Sequence, residues 1–224
     1  MRSPPGGAAS HRARRVTALR TGIVAACVLA ASAFLAVQPR AEEWQQGIVE
    51  WMNDPPQPFA AVLAVVNPLL RPAPLAILTA LLLYWTFLSA RTREQQRQIV
   101  RVAVVAFVVA EVLVQVLKRL ANQPRPSAVI SGLDTHGYPR EPFGHSFPSS
   151  HTAVAVALVA GLWPWMDLRR RVVGTTLAAL VALNRVYIGA HWPLDVVGGA
   201  AAGIVAASVA RIVEPAEPSP PLPN

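Results

Sequence analysis

The sequence predicts an all-α bundle of six transmembrane helices, N-in/C-in, with an interfacial helix after the first span. Three observations predict it. Apolar residues make up 53% of the 224 positions and charged residues only 14%, about half the charge that covers a water-soluble domain. Mean hydropathy is +0.39. The apolar residues fall in stretches close to the ~20 residues a helix needs to cross a hydrocarbon core. Such a composition excludes a soluble enzyme, a disordered chain and a nucleic-acid reader. The lone cysteine, Cys27, excludes an internal disulfide framework and a cysteine-based metal cluster.

Residues 1–20 form a basic segment, and the first span follows at Thr21–Pro39 without a charge. Ala31-Ser32-Ala33 resembles a signal-peptide cleavage site, but the apolar run continues to Val37, which predicts an uncleaved span. Glu42–Met52 places Trp44 and Trp51 among polar residues, the pattern of a helix lying at the interface. Phe59–Leu70 is apolar but short, and Asn67-Pro68 interrupts it, so it reads as a lead-in or re-entrant piece. The remaining spans are Pro72–Ala90, Ile99–Leu117, His151–Met166, Val172–Ile188 and Pro193–Val213. In the last, Gly199 and Gly203 among alanines predict close helix packing inside the bundle. Residues 214–224 form a proline-rich, disordered tail. Residues 21–213 thus make one domain.

Six spans place both termini on one face, and basic residues favour the cytoplasmic face. With the N-terminus inside, 13 of the 20 basic residues are cytoplasmic. The other seven, on the outer side, are Arg40, Arg71, Lys118, Arg119, Arg125, Arg140 and Arg185.

Ionisable residues inside spans are costly and point to function. Here they collect at one face. Lys118 closes the third span, Arg125 lies in a proline-broken loop, Ser149, Ser150 and His151 open the fourth span, Arg185 ends the fifth, and His191 and Asp195 open the sixth. The 34 residues from His151 to Arg185 suffice for a helix across and a helix back of about 25 Å each. Three distant segments therefore converge on one pocket. Lys118, Arg125 and Arg185 supply positive charge for a phosphate, and the backbone at Ser149 and Ser150 supplies a helix N-terminus. His191 and Asp195, four apart, are neighbours on a helix start. The carboxylate can hold one imidazole nitrogen as N–H and leave the other to attack, while His151 protonates a leaving oxygen. Together these groups describe phosphoryl transfer through a phosphohistidine.

The three segments read KRLANQPRP from Lys118, PSSH from Pro148 and NRVYIGAHWPLD from Asn184. They resemble the K-x6-R-P, PSGH and SR-x5-H-x3-D signatures of the type 2 phosphatidic acid phosphatase superfamily, in the family's order, across residues 118–195. The resemblance implies His191 as nucleophile, Asp195 as its orienting group and His151 as general acid and later water activator. It implies phosphate binding by Lys118, Arg125, Arg185 and the Ser149–Ser150 backbone, with no metal and no cofactor. Two positions depart from the family: Ser150 stands where glycine is usual, and Asn184 where serine is usual. Glu111, Asn184, Tyr138 and Arg140 are candidates for substrate selection. Glu111, Gln115 and Lys118 share a helical face that predicts a polar strut between helices.

The expected protein is an integral phosphatase of the plasma (inner) membrane, its site on the extracytoplasmic or periplasmic side. The expected substrate is a lipid phosphate or pyrophosphate, with an undecaprenyl pyrophosphate type favoured. The alternatives are a phosphotransferase using the same pocket and a non-catalytic transporter or scaffold. The partners expected are a membrane lipid and no nucleic acid; an oligomer is left open.

Overall fold

The computed structural model describes residues 7–90, 92–138 and 145–215. Among them the chain is all-helical, with α1 (Gly7–Ala36), α2 (Pro39–Asn53), α3 (Phe59–Leu69), α4 (Pro72–Leu88), α5 (Arg93–Ala121), the short α6 (Pro126–Val129), α7 (Ser150–Leu162), α8 (Leu168–Tyr187) and α9 (Pro193–Val213). A single 3-10 turn, Trp163–Trp165, follows α7. The predictions for residues 1–6 and 216–224 lie outside the described residues.

Among the described residues three helices, α1, α5 and α9, are long and apolar enough to cross a membrane; α3 and α4 pass the same test only as a pair bent by 80°, a broken span or a re-entrant loop. The fourth predicted span is a helix of only 13 residues. The fifth is the 20-residue α8, which opens with three arginines and carries Asn184 and Arg185 near its end.

Local chemistry explains the helix ends. α1 starts at Gly7, well ahead of the predicted span, because the Ala- and Arg-rich segment before Thr21 is itself a good helix former. Thr92 caps α5 by accepting the Gln95 N–H, Glu94 sits in its first turn, and Lys118 and Arg119 sit in its last, which complements the helix dipole. Asn122 then turns left-handed (φ 46°) and stops the helix. Asp167 caps α8 by accepting the Arg170 N–H at 2.9 Å. Asn67-Pro68 does not interrupt α3 as predicted. Pro68 is accommodated in the last turn of that helix, and the chain breaks at Leu70 and Arg71.

Helix α9 is the hub, packing against α1, α5 and α7. Its small residues make this possible. A Cβ on Gly199 would stand 2.6 Å from the Ser149 carbonyl oxygen, and one on Gly203 would collide with the Ala153 carbonyl. The predicted close packing is therefore against α7. Helix α5 shows why the composition is so apolar. Val102, Ala106, Ala110 and Val114 are buried in the bundle, while Val100, Val104, Val108, Val112 and Val116 are exposed on the other side. A helix apolar on both faces fits a hydrocarbon solvent, where association rests on close packing.

The predicted interfacial helix is α2. It buries Gln45, Val49 and Met52 on one face and exposes Trp44, Ile48 and Trp51 on the other. Gln45 Oε1 accepts the Leu194 N–H at 3.0 Å, so α2 satisfies a donor in the first turn of α9, beside Asp195.

Candidate active site

The end of α5, the start of α7, the end of α8 and the start of α9 meet at one end of the bundle. Between them lies a cavity of about 750 Å³ whose lining includes Lys118, Arg125, Ser150, His151, Arg185 and His191. Most of the predicted site is thus gathered in one place.

Each group is held by its neighbours. Arg185 and Asp195 are 4% and 0% exposed. His191 lies in the connection between α8 and α9, 3% exposed, and its backbone N–H donates to the Arg185 carbonyl at 3.1 Å. Its Nδ1 is 3.3 Å from Asp195 Oδ2. The same carboxylate oxygen accepts the Trp192 N–H at 2.8 Å. A carboxylate only accepts, so Nδ1 carries the proton and Nε2 keeps its lone pair. Burial, and then the positive charges of Lys118, Arg125 and Arg185, hold the His191 imidazole well below the usual histidine range. It is neutral near pH 7.

The cations are held largely by neutral acceptors. Lys118 Nζ donates to the carbonyls of His145 (2.7 Å) and Ser146 (3.3 Å). Arg185 Nη2 donates to the Leu70 carbonyl (3.4 Å) and the Tyr138 hydroxyl (3.2 Å), with its guanidinium 5.0 Å from the Tyr138 ring centroid. Arg125 is the N-cap of α6. The neighbouring Pro124 carbonyl accepts from Trp192 Nε1 at 2.9 Å, and the Ser127 N–H donates to the Gly189 carbonyl at 3.0 Å. These two bonds tie the Arg125 segment to the His191 segment.

Some predicted residues stand elsewhere. Ser149 does not face the cavity. It is fully buried, its N–H donates to the Asp195 carbonyl (2.9 Å), and its hydroxyl accepts from Thr152. It is the N-cap of α7, and its backbone donor is already engaged. Asn184 is 1% exposed and lies away from the cavity lining. Tyr138 does line it. Arg140 lies outside the described residues. Glu111 is not a strut buried between helices. It is half-buried in the wall of an apolar groove of about 550 Å³, formed by α4, α5 and α7, which shares Ser150 and His151 with the cavity. Gln115 and Lys118, on the same face, line the cavity itself. The end of α5 runs beside the segment leading into α7, so this face meets open space.

Sequence reasoning missed Arg71 and Arg119, which also line the cavity. A signal existed. Both belonged to the outer-side basic residues that break the cytoplasmic bias, and five of those seven now prove to surround one cavity.

A model of the PAP2 superfamily matches residues 99–217. The chain belongs to the PAP2 superfamily. It is 35% identical over 112 residues to an undecaprenyl-diphosphatase of Sulfolobus acidocaldarius, covering 47% of this chain and 50% of that one. The chain matches between 34% and 59% of the length of the curated relatives. Its fold is similar to that of a transmembrane PAP2-type phosphatidylglycerolphosphate phosphatase from Bacillus subtilis, at a TM-score of 0.63 and 19% identity, covering 85% of this chain and 94% of the other. It is also similar to Aquifex aeolicus LpxE, at a TM-score of 0.56 and 26% identity, covering 73% and 92%.

Proposed function

We propose that this PAP2 protein is a metal-independent membrane phosphatase that hydrolyses a lipid phosphate or pyrophosphate through a phosphohistidine, with a polyprenyl diphosphate of the undecaprenyl type as the favoured substrate. The observation that carries this reading is the shared cavity, in which the imidazoles of His151 and His191, the latter backed by a carboxylate, stand among cations. His191 Nε2 attacks the terminal phosphorus, and the P–O bond to the leaving group breaks as His151 donates a proton to that oxygen. Lys118, Arg125 and Arg185 hold the phosphoryl oxygens as charge redistributes in the transition state. His151 then takes a proton from water, whose oxygen attacks the phosphohistidine. Inorganic phosphate leaves and His191 is restored. The N–H of Ser150, at the first turn of α7, is a further donor toward the phosphate.

The apolar groove supports a lipid substrate. Leu75, Leu83, Val104 and Phe107 line it, and it runs to the same Ser150 and His151 that face the cavity. A hydrocarbon chain lying there would present its head group to the cations. The named relative favours a polyprenyl diphosphate among lipid phosphates. In this reading the six spans run N-in/C-in and the cavity faces the extracytoplasmic side; the basic excess of residues 1–20 and 169–171, which favours the cytoplasm, supports it. Residues 21–213 form the catalytic domain.

The test is purified protein in detergent with a panel of polyprenyl diphosphates, polyprenyl phosphates, phosphatidic acid and phosphatidylglycerophosphate, in ¹⁸O-labelled water and with a chelator present. Release of singly labelled inorganic phosphate, insensitive to the chelator, is expected. Phosphate without label would point to transfer to another acceptor. No release from any lipid would overturn the reading.

A further inference from the structure

The family signature accounts for three cations in the cavity, Lys118, Arg125 and Arg185, enough to grip one phosphoryl group. The described lining residues carry two more, Arg71 and Arg119, and no carboxylate. We propose that Arg71, held on the break between α3 and α4, binds the second phosphate of a diphosphate substrate, so that the cavity is built for two linked phosphates. The inference rests on reading this cavity as a phosphohydrolase site.

Arg71 is placed there by its surroundings. On its N-terminal side, Asn67 Nδ2 donates to the His136 carbonyl at 3.1 Å, and the Leu70 carbonyl accepts from Arg185. The break is thereby stitched both to the loop that carries Tyr138 and to the catalytic arginine. Gly137, at φ +80°, leaves room for the Arg71 guanidinium: a Cβ there would stand 2.8 Å from Arg71 Nη2. The guanidinium lies 5.7 Å from the Tyr138 ring centroid, and that of Arg185 lies 5.0 Å from the same ring. Tyr138 thus joins the two arginines, which are no farther apart than those two distances laid end to end.

An arginine that only anchored the membrane edge would reach for water. This one is exposed at the cavity, yet its guanidinium lies over the Tyr138 ring, near a second like charge. Two guanidinium groups brought together repel until an anion lies between them, and each offers a planar fork to a phosphate. With the terminal phosphate at His191, the phosphate still attached to the lipid falls to Arg71. That group is also the leaving group, so Arg71 stabilises the charge that develops on it.

The test compares wild type with Arg71→Gln and Arg71→Lys, all as full chains in detergent, using farnesyl diphosphate and farnesyl monophosphate. Loss of one charged hydrogen bond predicts a fall in kcat/KM for the diphosphate of about tenfold or more. The fall for the monophosphate should be several-fold smaller, and Arg71→Lys should recover part of the difference. Calorimetric titration with inorganic pyrophosphate and orthophosphate gives a second readout: wild type should prefer pyrophosphate, and Arg71→Gln should lose that preference. Equal falls for both farnesyl substrates, or an unchanged preference for pyrophosphate, would overturn the proposal. If wild type cleaved neither substrate, the phosphatase reading would fail, and the titrations would still decide whether Arg71 holds a second phosphate.

Discussion

The two ends of the helix bundle use arginine in opposite ways. Away from the cavity, Arg101 and Arg170 meet carboxylates. Arg101 lies 2.7 Å from Glu94 and 3.0 Å from Glu214, and Arg170 lies 3.3 Å from Asp167. At the cavity, Lys118 and Arg185 meet backbone carbonyls and a tyrosine hydroxyl. A carboxylate neutralises its partner, whereas a carbonyl orients a cation and leaves its charge in place. The first arrangement anchors a helix end. The second keeps a positive field available to an anionic substrate, and within it stands an imidazole kept neutral by burial and by those same charges.

Substitutions can break this contrast. The largest effect is expected at the proposed nucleophile: His191→Ala should lower turnover about a thousandfold or more, measured by phosphate release. Asp195→Asn leaves the shape but loses the acceptor that fixes the His191 tautomer, and a loss of about a hundredfold or more is expected. Arg185→Ala should cost about a hundredfold in kcat/KM, and Arg185→Lys should restore little, because a single ammonium cannot offer a phosphate the planar set of donors that a guanidinium keeps beyond the one nitrogen, Nη2, bonded to Leu70 and Tyr138. At the other end, Arg101→Ala should leave kcat/KM within about twofold, since exposed ion pairs contribute little. A loss there equal to that at Arg185 would erase the distinction between the two ends.

Acidity sharpens the contrast further. The folded protein resists protonation of His191, whereas the unfolded chain binds that proton below about pH 6.5. The contribution of this group to stability is therefore complete above pH ~6.5 and is lost as pH falls below it. Thermal unfolding across that range should show acid destabilisation that His191→Gln reduces. With His191 as the proposed nucleophile, the acid limb of kcat/KM should also lie below pH ~6.5, because its free imidazole is already neutral above it.

Much of this was legible in the sequence, for physical reasons. Ionisable residues are expensive in apolar spans, so Lys118, His151, Arg185, His191 and Asp195 stood out, and the i,i+4 spacing of His191 and Asp195 fixed their contact before any coordinates. Pro193 marked the start of α9, and Trp44 and Trp51 marked α2. The rest depended on long-range contact. Whether Ser149 offers its N–H to a substrate depends on the approach of the Asp195 carbonyl, from 46 residues further along the chain. That Arg71 belongs to the cavity depends on an 80° bend and on Gly137 lying beside it. Helices α7 and α8 were read as spans from their apolar runs; α7 has 13 residues, and α8 has 20 but opens with three arginines.

The most direct test of the central claim, that His191 accepts the phosphoryl group within the cationic cavity, is acid-base analysis of a quenched reaction. Wild type is mixed with a polyprenyl diphosphate carrying ³²P on its terminal (β) phosphate, and the reaction is stopped within milliseconds. Label bound to protein, stable in alkali, released by acid and absent from His191→Ala is the expected result. Full turnover with no protein-bound label at any time, or label that persists in His191→Ala, would contradict it.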